Sequence, residues 1–319
     1  MASSRRDFLK KSATVAATLG AAAALPFPMS ATSKKKRKSR QAKRVIIFTF
    51  DGIRVDGLKK ANTPYIDSLI SSGAASFATR DVMPSVTLPN YTSHLLGAGP
   101  EVHGVDNNDW TVDHFRIPAV VRDEDGYFPN VFQELKKNVP SIRTAFYYNW
   151  EPIINPHNRK YIDEAFSVKD TEFHILCDKA MDFIRDNRDE PMFVFLYQVN
   201  TDHVGHTYEW MSPEYIRSIE ESDAEIGRVI DMLKAEGLYE DSHLMFISDH
   251  GGVGRGHGGV SEAEMVVPWV IEGPGIKKGF EITEPNNTVN TASTVLSLFG
   301  VEQPLCWTGE VPRSIFIEK

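Results

Sequence analysis

Short apolar runs that end at a polar or acidic residue recur along this chain. The clearest of them cover residues 44–50, 191–197 and 242–247, and each is short, continuous and rich in large apolar side chains. Runs of this kind are typical of strands that are buried on both faces of a sheet. Two further strands are predicted over residues 143–148 and from residue 266. Together, these segments predict a sheet with a strongly apolar centre.

Between these runs, apolar residues recur at helical spacing. The first such segment, from Thr63 to Gly73, has a capping residue, a proline at the first helical position and a closing glycine. Further helices are predicted after Thr87, from Ser212 to Leu233, and over residues 128–135, 172–187 and 291–300. Because strands and helices alternate throughout, we predict the α/β class, as a three-layer sandwich in which helices cover both faces of a largely parallel central sheet.

The first residues of the chain depart from this pattern. Arg5 and Arg6 precede Phe8, and a weakly apolar, alanine-rich run leads to a segment of small residues. This arrangement is typical of a Tat export signal, which we predict over residues 1–31. A membrane anchor is the alternative, but the apolar run is too short and too rich in alanine to span a bilayer comfortably. The prediction implies export by the Tat machinery to the periplasm or the cell exterior.

Charge divides the rest of the chain into two parts. Residues 32–44 form a predicted basic linker, with eight Lys and Arg and no acid over residues 34–44; a tether to anionic lipid or nucleic acid is the alternative. Residues 45–319, predicted to form a single domain, carry 23 basic and 42 acidic residues, a net charge of −19. Such an acidic body argues against a stable nucleic-acid complex. Cys177 and Cys306 are expected to be two buried thiols, although an oxidising compartment would allow them to pair.

Acidic residues and histidines follow three of the predicted strands. In chain order they are Asp51, Asp202, His206, Asp249, His250 and His257. Ligands of open α/β sheets bind outside the carboxyl ends of the strands, so we expect the six side chains to converge there. Three carboxylates and three imidazoles are enough for two divalent ions with three protein ligands each, and they suit zinc and similar metals. Taken one at a time, the clusters have simpler interpretations: a capping aspartate, a surface salt bridge and a glycine-rich loop with incidental histidines.

Thr87 is the candidate nucleophile. It precedes a Leu-Pro pair and a helical pattern, which places it at or just before a helix N-terminus, where free amides and the helix dipole stabilise negative charge. A threonine hydroxyl needs activation, and a divalent metal supplies it without a histidine base. A capping threonine is the competing interpretation. Two metals about 4 Å apart can clamp both oxygens of an in-line displacement at phosphorus, so the expected substrate is a phosphoryl or sulfuryl ester.

Six short motifs, spread from about residue 45 to residue 275, follow one another along the chain. They are Phe50-Asp51-Gly52, Thr63-Pro64, residues 84–90, residues 100–105, Asp202 to His206 and residues 248–251. In kind and in order they resemble the motifs of the alkaline phosphatase superfamily, and within it the type I phosphodiesterase/nucleotide pyrophosphatase branch.

The resemblance implies an alkaline-phosphatase-like fold and a role for each candidate residue. One zinc ion would be bound by Asp51, Asp249 and His250, and the other by Asp202, His206 and His257. Thr87 would be the nucleophile, and Asn108, next to Asn107, would contact a phosphate oxygen. Residues 45–319 would then form a metallohydrolase domain.

The same resemblance implies the reaction. We expect an exported hydrolase with two divalent ions, zinc in the first instance, that cleaves phosphate esters, chiefly diesters, through a phosphothreonine at Thr87. The substrate would be a small phosphate ester such as a nucleotide, but only six residues separate His250 from His257, a shorter link than nucleotide-cleaving members have. Residues 87–90 also lack the modified Cys or Ser of sulfatases. The alternatives are a phosphomonoesterase or phosphonate hydrolase on the same site, and a metal-binding surface protein without turnover.

Overall fold

The computed structural model describes residues 42–169 and 171–318. The Tat signal predicted over residues 1–31 lies outside the described residues, as does the predicted linker apart from residues 42–44, so both stay predictions. Within the described ranges, no helix combines the length and the apolar character that crossing a membrane requires.

A single mixed sheet runs through the described part of the chain. Its eight strands are β1 (Arg44–Phe50), β2 (Ala74–Arg80), β3 (Arg143–Tyr148), β4 (Glu164–Ser167), β5 (Met192–Gln198), β6 (Ser242–Ile247), β7 (Val266–Glu272) and β8 (Phe280–Glu281). They lie in the order β4-β3-β5-β1-β6-β7-β2-β8. Strand β7 is antiparallel to both of its neighbours, and every other neighbouring pair is parallel. The prediction of a largely parallel sheet is confirmed.

Helices cover both faces of this sheet. Over the described residues they are α1 (Val55–Lys60), α2 (Pro64–Ser72), α3 (Thr87–Leu96), α4 (Pro100–His103), α5 (Val131–Asn138), α6 (Phe173–Asp186), α7 (Asn200–Tyr208), α8 (Pro213–Ala235), α9 (Glu262–Met265) and α10 (Asn290–Leu298). Short 3-10 turns occur at Glu151–Ile154, Arg159–Tyr161, Tyr239–Asp241 and Arg313–Ile315. The alternation of strands and helices follows the predicted α/β pattern.

The central strand explains why the molecule has three layers. Side chains of β1 alternate: Val45 and Ile47 pack with α3, α5 and α10, whereas Ile46 and Phe48 pack with α1, α2, α6 and α8. Since all four are fully buried, each contributes roughly 1.5–3 kcal/mol relative to an exposed position. A strand that is apolar on both faces therefore requires a helical layer on each side, and the predicted three-layer sandwich is confirmed.

Several boundaries and one cysteine differ from the expectations. The helix predicted over residues 128–135 begins at Val131, because the Asn130 side chain accepts a hydrogen bond from the backbone N–H of Gln133 and caps it there. The two cysteines are free. Cys177 is buried as expected, whereas Cys306 is only partly buried.

Candidate metal centre

The first group of candidate ligands is formed by Asp51, Asp249 and His250. Asp51 directly follows β1, and Asp249 lies two residues beyond β6, whose last residue pairs in register with β1. All three residues are 0% exposed. The Nε2 atom of His250 lies 3.4 Å from Asp51 Oδ1 and 3.1 Å from Asp249 Oδ2. The two parallel strands therefore bring these side chains together at their carboxyl ends, as predicted.

The second group is formed by Asp202, His206 and His257. Asp202 and His206 lie one turn apart on α7, which begins just after β5, and His257 lies in the loop after β6. Asp202 Oδ2 is 3.4 Å from the Nε2 atom of His206, and Asp202 Oδ1 is 3.6 Å from that of His257. The His206 side chain is 41% exposed, so this group faces the solvent while the first group is enclosed.

The two groups adjoin each other. The rings of His250 and His257 are stacked, with centroids 3.8 Å apart and an interplanar angle of 16°. On the opposite side, Gly52 adopts a φ of +73°, and a Cβ there would lie 3.2 Å from the Cα, Cβ and Oδ1 atoms of Asp202. A glycine at the end of β1 thus permits α7 to approach the first group closely.

The three histidines share one hydrogen-bond arrangement. The Nδ1 atoms of His206, His250 and His257 lie 2.8, 2.8 and 2.9 Å from the backbone carbonyls of Arg255, Gly251 and Ser85 respectively. A carbonyl only accepts, so each Nδ1 carries the proton and donates it. The Nε2 lone pair of each ring is then left facing a carboxylate oxygen.

That arrangement fits divalent cations. One oxygen of each aspartate is buried without a hydrogen-bond partner, namely Asp51 Oδ1, Asp202 Oδ1 and Asp249 Oδ2. Lone pairs of imidazole and carboxylate repel one another unless a positive charge lies between them. Metal-binding histidines usually donate their Nδ1 proton to a backbone carbonyl, as these three do. Three orphan carboxylate oxygens and three Nε2 lone pairs converge, in two sets of three.

The pKa shifts of these residues also indicate that positive charge is missing around the carboxylates. Burial, followed by the charges of Asp249 and Asp202, raises the pKa of Asp51 well above its usual value, and burial raises the pKa of Asp249 to about 7. Burial also lowers the pKa of His250, and burial together with the adjacent His250 lowers the pKa of His257 to about 4. The imidazoles of this group are neutral, so they supply no positive charge to the buried carboxylates beside them.

On the exposed side of the centre, the pKa values of Asp202 and His206 shift in the opposite directions. Burial alone would raise the pKa of Asp202, but a hydrogen bond from protonated His206 and the nearby imidazoles outweigh it and lower that pKa. The same hydrogen bond raises the pKa of His206. Asp202 and His206 therefore form an ion pair over part of the pH range, whereas the first group has no such internal compensation.

Thr87 lies at the junction of this centre and a helix N-terminus. It is the first residue of α3 and is almost fully buried, and its Oγ1 atom lies 3.2 Å from the Nε2 atom of His250. The Oδ1 atom of Asn108 accepts a hydrogen bond of 2.9 Å from the backbone N–H of Leu88, so its amide lies over the same helix end. The neighbouring Asn107 instead accepts from the N–H of Asp109, within its own loop.

Three further residues build the site, and sequence reasoning missed them. The phenol of Tyr197 donates a hydrogen bond to Asp51 Oδ2. The side chain of Asn90 holds the segment that leads to Thr87. The indole of Trp210 donates to the carbonyl oxygen of Gly52 at 2.8 Å. Tyr197 lies within an apolar run and Asn90 within a helix, so periodicity carries no signal for either contact.

Comparison with known proteins identifies the family. A sequence model of the type I phosphodiesterase/nucleotide pyrophosphatase family matches residues 45–255. The chain belongs to this family, whose members depend on metal ions. The resemblance inferred from the motifs is confirmed.

Individual relatives agree with this assignment. The chain is 26% identical over 238 residues to an uncharacterized pyrophosphatase/phosphodiesterase of Schizosaccharomyces pombe. The aligned region covers 72% of this chain and 48% of the relative. It is 26% identical over 219 residues to the human bis(5'-adenosyl)-triphosphatase ENPP4, covering 65% of this chain and 47% of the relative. The matched region thus spans about half the length of these two relatives.

Solved structures share the fold. Human ectonucleotide pyrophosphatase/phosphodiesterase 5 aligns with a TM-score of 0.71 at 16% identity, covering 86% of this chain and all of that one. A phosphonate monoester hydrolase from Silicibacter pomeroyi aligns with a TM-score of 0.66 at 16% identity, covering 86% of this chain and 76% of that one. These similarities establish the alkaline-phosphatase-like architecture.

Proposed function

We propose that this chain is a hydrolase of phosphate esters, with phosphodiesters as its main substrates. The observation that carries the proposal is the convergence of three orphan carboxylate oxygens and three Nε2 lone pairs beside the Thr87 hydroxyl. One divalent ion would be held by Asp51, Asp249 and His250, and a second by Asp202, His206 and His257. Zinc is the metal that the mixed carboxylate and imidazole ligands favour.

The chain's own residues define the proposed reaction. Thr87 Oγ1 attacks the phosphorus atom, its bond to phosphorus forms as the bond to the leaving alcohol breaks, and the alcohol leaves with a proton. Water then attacks the phosphothreonine, so that Thr87 recovers its proton and phosphate or a phosphate monoester is released. When bound, the divalent ions lower the pKa of the attacking hydroxyl and offset charge on the phosphoryl oxygens.

Asn108 and the N-terminus of α3 would orient the phosphoryl group. The helix N-terminus favours negative charge, and the amide of Asn108 already lies against the Leu88 N–H within one residue of the nucleophile. A phosphate oxygen placed here would accept a hydrogen bond from the Asn108 Nδ2 atom. The site therefore combines a buried nucleophile with neutral donors on one side and metal ligands on the other.

The experiment that tests this proposal compares two threonines of the same helix. Thr87→Val removes the nucleophile, and we expect diesterase activity on bis-p-nitrophenyl phosphate to fall at least about 1000-fold with zinc content unchanged. Thr92 is buried on α3, and its hydroxyl has no hydrogen-bond partner, so Thr92→Val is the matched control and should retain activity. Full activity in Thr87→Val would exclude the phosphothreonine route.

The substrate class is tested separately. Faster turnover of p-nitrophenyl phosphate than of the diester would indicate a phosphomonoesterase instead of a diesterase. A preference for a phosphonate ester would favour the activity named for the Silicibacter neighbour. Nucleotides are proposed among the substrates because ENPP4 is named a bis(5'-adenosyl)-triphosphatase and a murine ENPP5 variant was solved with AMP. Zinc-bound protein that turns over none of these esters would favour the non-catalytic alternative.

Export by the Tat pathway is part of the same proposal. It is supported by Arg5 and Arg6 and by the weakly apolar run that follows them. Replacing both arginines by lysine should retain the protein, and its diesterase activity, in the cytoplasmic fraction. Unchanged activity in the periplasmic fraction would argue against this route.

A further inference from the structure

The two carboxylate oxygens of Asp51 have different surroundings. Oδ2 accepts a hydrogen bond from the phenol of Tyr197, whereas Oδ1 has no hydrogen-bond partner and lies 3.4 Å from the Nε2 atom of His250. Both Asp51 and Tyr197 are fully buried, so no solvent competes for either oxygen. A neutral donor thus binds one carboxylate oxygen of Asp51, and the other oxygen faces the candidate metal site.

The position of Tyr197 is rigid. Its ring packs edge-on against Tyr91, with centroids 5.0 Å apart and an interplanar angle of 90°, and lies 6.5 Å from the ring of Trp150. Strand β5, which carries Tyr197, pairs in parallel register with β1, and the N–H of Asp51 donates to the carbonyl of Gln198 at 2.9 Å. The donor and its acceptor are therefore fixed by the same strand pair.

Asp249 shows the same arrangement with a different donor. Its Oδ1 atom accepts a hydrogen bond of 3.0 Å from the backbone N–H of Gly52, and its Oδ2 atom has no hydrogen-bond partner. Asp202 lacks such a neutral donor: its Oδ1 atom is unpartnered, and its Oδ2 atom faces His206. Both carboxylates of the enclosed group have one oxygen fixed by a neutral donor, whereas Asp202, the single carboxylate of the exposed group, does not.

We propose that Tyr197 is a positioning residue for the enclosed metal site: its phenol fixes Asp51 Oδ2 so that Oδ1 alone is presented to the metal. The inference rests on the metal centre assigned under the proposed function. Fixing a carboxylate in advance removes the rotational freedom that metal binding would otherwise have to restrict. Residues that hydrogen-bond to a metal ligand in this way change metal affinity about 10- to 100-fold. A phenol does so without adding a charge.

The test removes only the phenolic oxygen. Tyr197→Phe keeps the ring that packs on Tyr91. We expect the dissociation constant for zinc at the site of Asp51, Asp249 and His250, measured by chelator competition, to rise about 10- to 100-fold. We also expect kcat to fall at limiting zinc and to recover as zinc is raised, with little change in KM. Zinc affinity within twofold of the wild type would overturn the assignment.

A matched control exists on the neighbouring strand. Tyr147 of β3 is also fully buried, and its phenol donates to Glu164 at 2.9 Å, away from the metal centre. Tyr147→Phe therefore loses a comparable tyrosine–carboxylate hydrogen bond but should keep wild-type zinc affinity. Equal losses of zinc affinity in both variants would show a general structural effect and overturn the positioning role.

The same measurements separate this inference from the proposed function. A wild-type chain that binds no zinc or hydrolyses no ester would overturn the proposed function itself. A wild-type chain that binds zinc and turns over, beside a Tyr197→Phe variant of unchanged zinc affinity, would overturn only the role of Tyr197. Thr87→Val serves as the internal reference because it should lose activity while its zinc affinity stays at the wild-type value.

Discussion

Asn90 shows how one side chain places the candidate nucleophile. It is fully buried on α3, and its Oδ1 atom accepts a hydrogen bond of 2.7 Å from the N–H of Val82. Its Nδ2 atom lies 3.2, 3.1 and 3.2 Å from the carbonyls of Val82, Pro84 and Val86. The amide therefore closes the loop that precedes Thr87, and the position of the hydroxyl depends on it.

Asn90→Asp should uncouple that loop. The carboxylate can still accept from Val82, but its second oxygen would have no proton to donate to the three carbonyls that Asn90 Nδ2 now faces. We expect the free energy of unfolding, from urea titration, to fall by about 2–4 kcal/mol, since buried polar groups are left unpaired. Diesterase kcat should fall with it.

Asn138→Asp is the control for this substitution. Asn138 is exposed and makes one side-chain hydrogen bond, to the carbonyl of Glu134. A change within about 0.5 kcal/mol is expected there. Stability equal to wild type in Asn90→Asp would mean that the loop is held in some other way.

Among the structural elements, α7 carries two candidate ligands on one turn, and Gly205 lies between them. A Cβ at Gly205 would lie 2.7 Å from the Cε2 atom of Trp210, whose indole is tied to the carbonyl of Gly52. Helix propensity favours alanine over glycine by about 1 kcal/mol, but a contact this short cannot be accommodated without moving the indole or the helix. The steric cost therefore outweighs the propensity gain.

Gly205→Ala should consequently be destabilising although it lies in a helix. We expect a lower thermal unfolding midpoint and weaker zinc binding at the second site, because a shift of α7 would move Asp202 and His206 together away from His257. Gly256→Ala is the control, since a Cβ there would meet no atom within 4 Å. A Gly205→Ala variant that is more stable than wild type and binds two zinc ions normally would contradict the packing argument.

Elements with strong sequence patterns could be predicted, and so could the convergence of the candidate ligands at their ends. The run 44–50 is apolar on both faces, and the carboxyl ends of parallel strands meet, so convergence of Asp51 and Asp249 follows from local pattern and one topological rule. Strand β2 was missed because its sequence, AASFATR, is small and partly polar, and it is only half buried. Its antiparallel pairing with β7 is a tertiary contact, which the periodicity of the sequence does not predict.

The contact between Tyr197 and Asp51 could not be predicted for a related reason. A continuous apolar run hides which face each residue occupies, and the register of β5 against β1 decides which phenol reaches which carboxylate. Likewise, the carbonyl partners of the three histidines belong to loops whose course depends on the glycines around them. Ligand types are readable from the sequence, whereas their orienting partners require the fold.

At the scale of the whole molecule, acidic residues outnumber basic ones, and some of the acids are buried. The chain beyond residue 44 has a net charge of −19, and Asp51, Asp249 and Asp81 are all buried. Asp81 follows β2 and takes no part in the candidate metal groups, and neither of its carboxylate oxygens has a hydrogen-bond partner. Burial, followed by the charge of Asp249, raises the pKa of Asp81 to about 8; Arg80 partly opposes the shift, and Glu264 adds to it.

This shift makes folding stability depend on pH in a defined direction. The unfolded chain releases the Asp81 proton near pH 4, whereas the folded chain keeps it until about pH 8. Between these values the folded state binds more protons, so the free energy of unfolding contributed by this residue decreases as pH rises and levels off above about 8. An asparagine side chain cannot ionise, so the Asp81→Asn variant should escape that loss.

Urea unfolding of chelator-treated protein at pH 5 and pH 8.5 measures the effect. Relative to wild type, we expect the free energy of unfolding of Asp81→Asn to rise by up to about 4 kcal/mol between the two pH values, at about 1.4 kcal/mol per pH unit up to pH 8. Glu302→Gln, at an exposed position, should show the same difference from wild type at both pH values. Parallel pH dependence of Asp81→Asn and wild type would mean that Asp81 is already ionised in the fold, and that a positive group or ordered water compensates it.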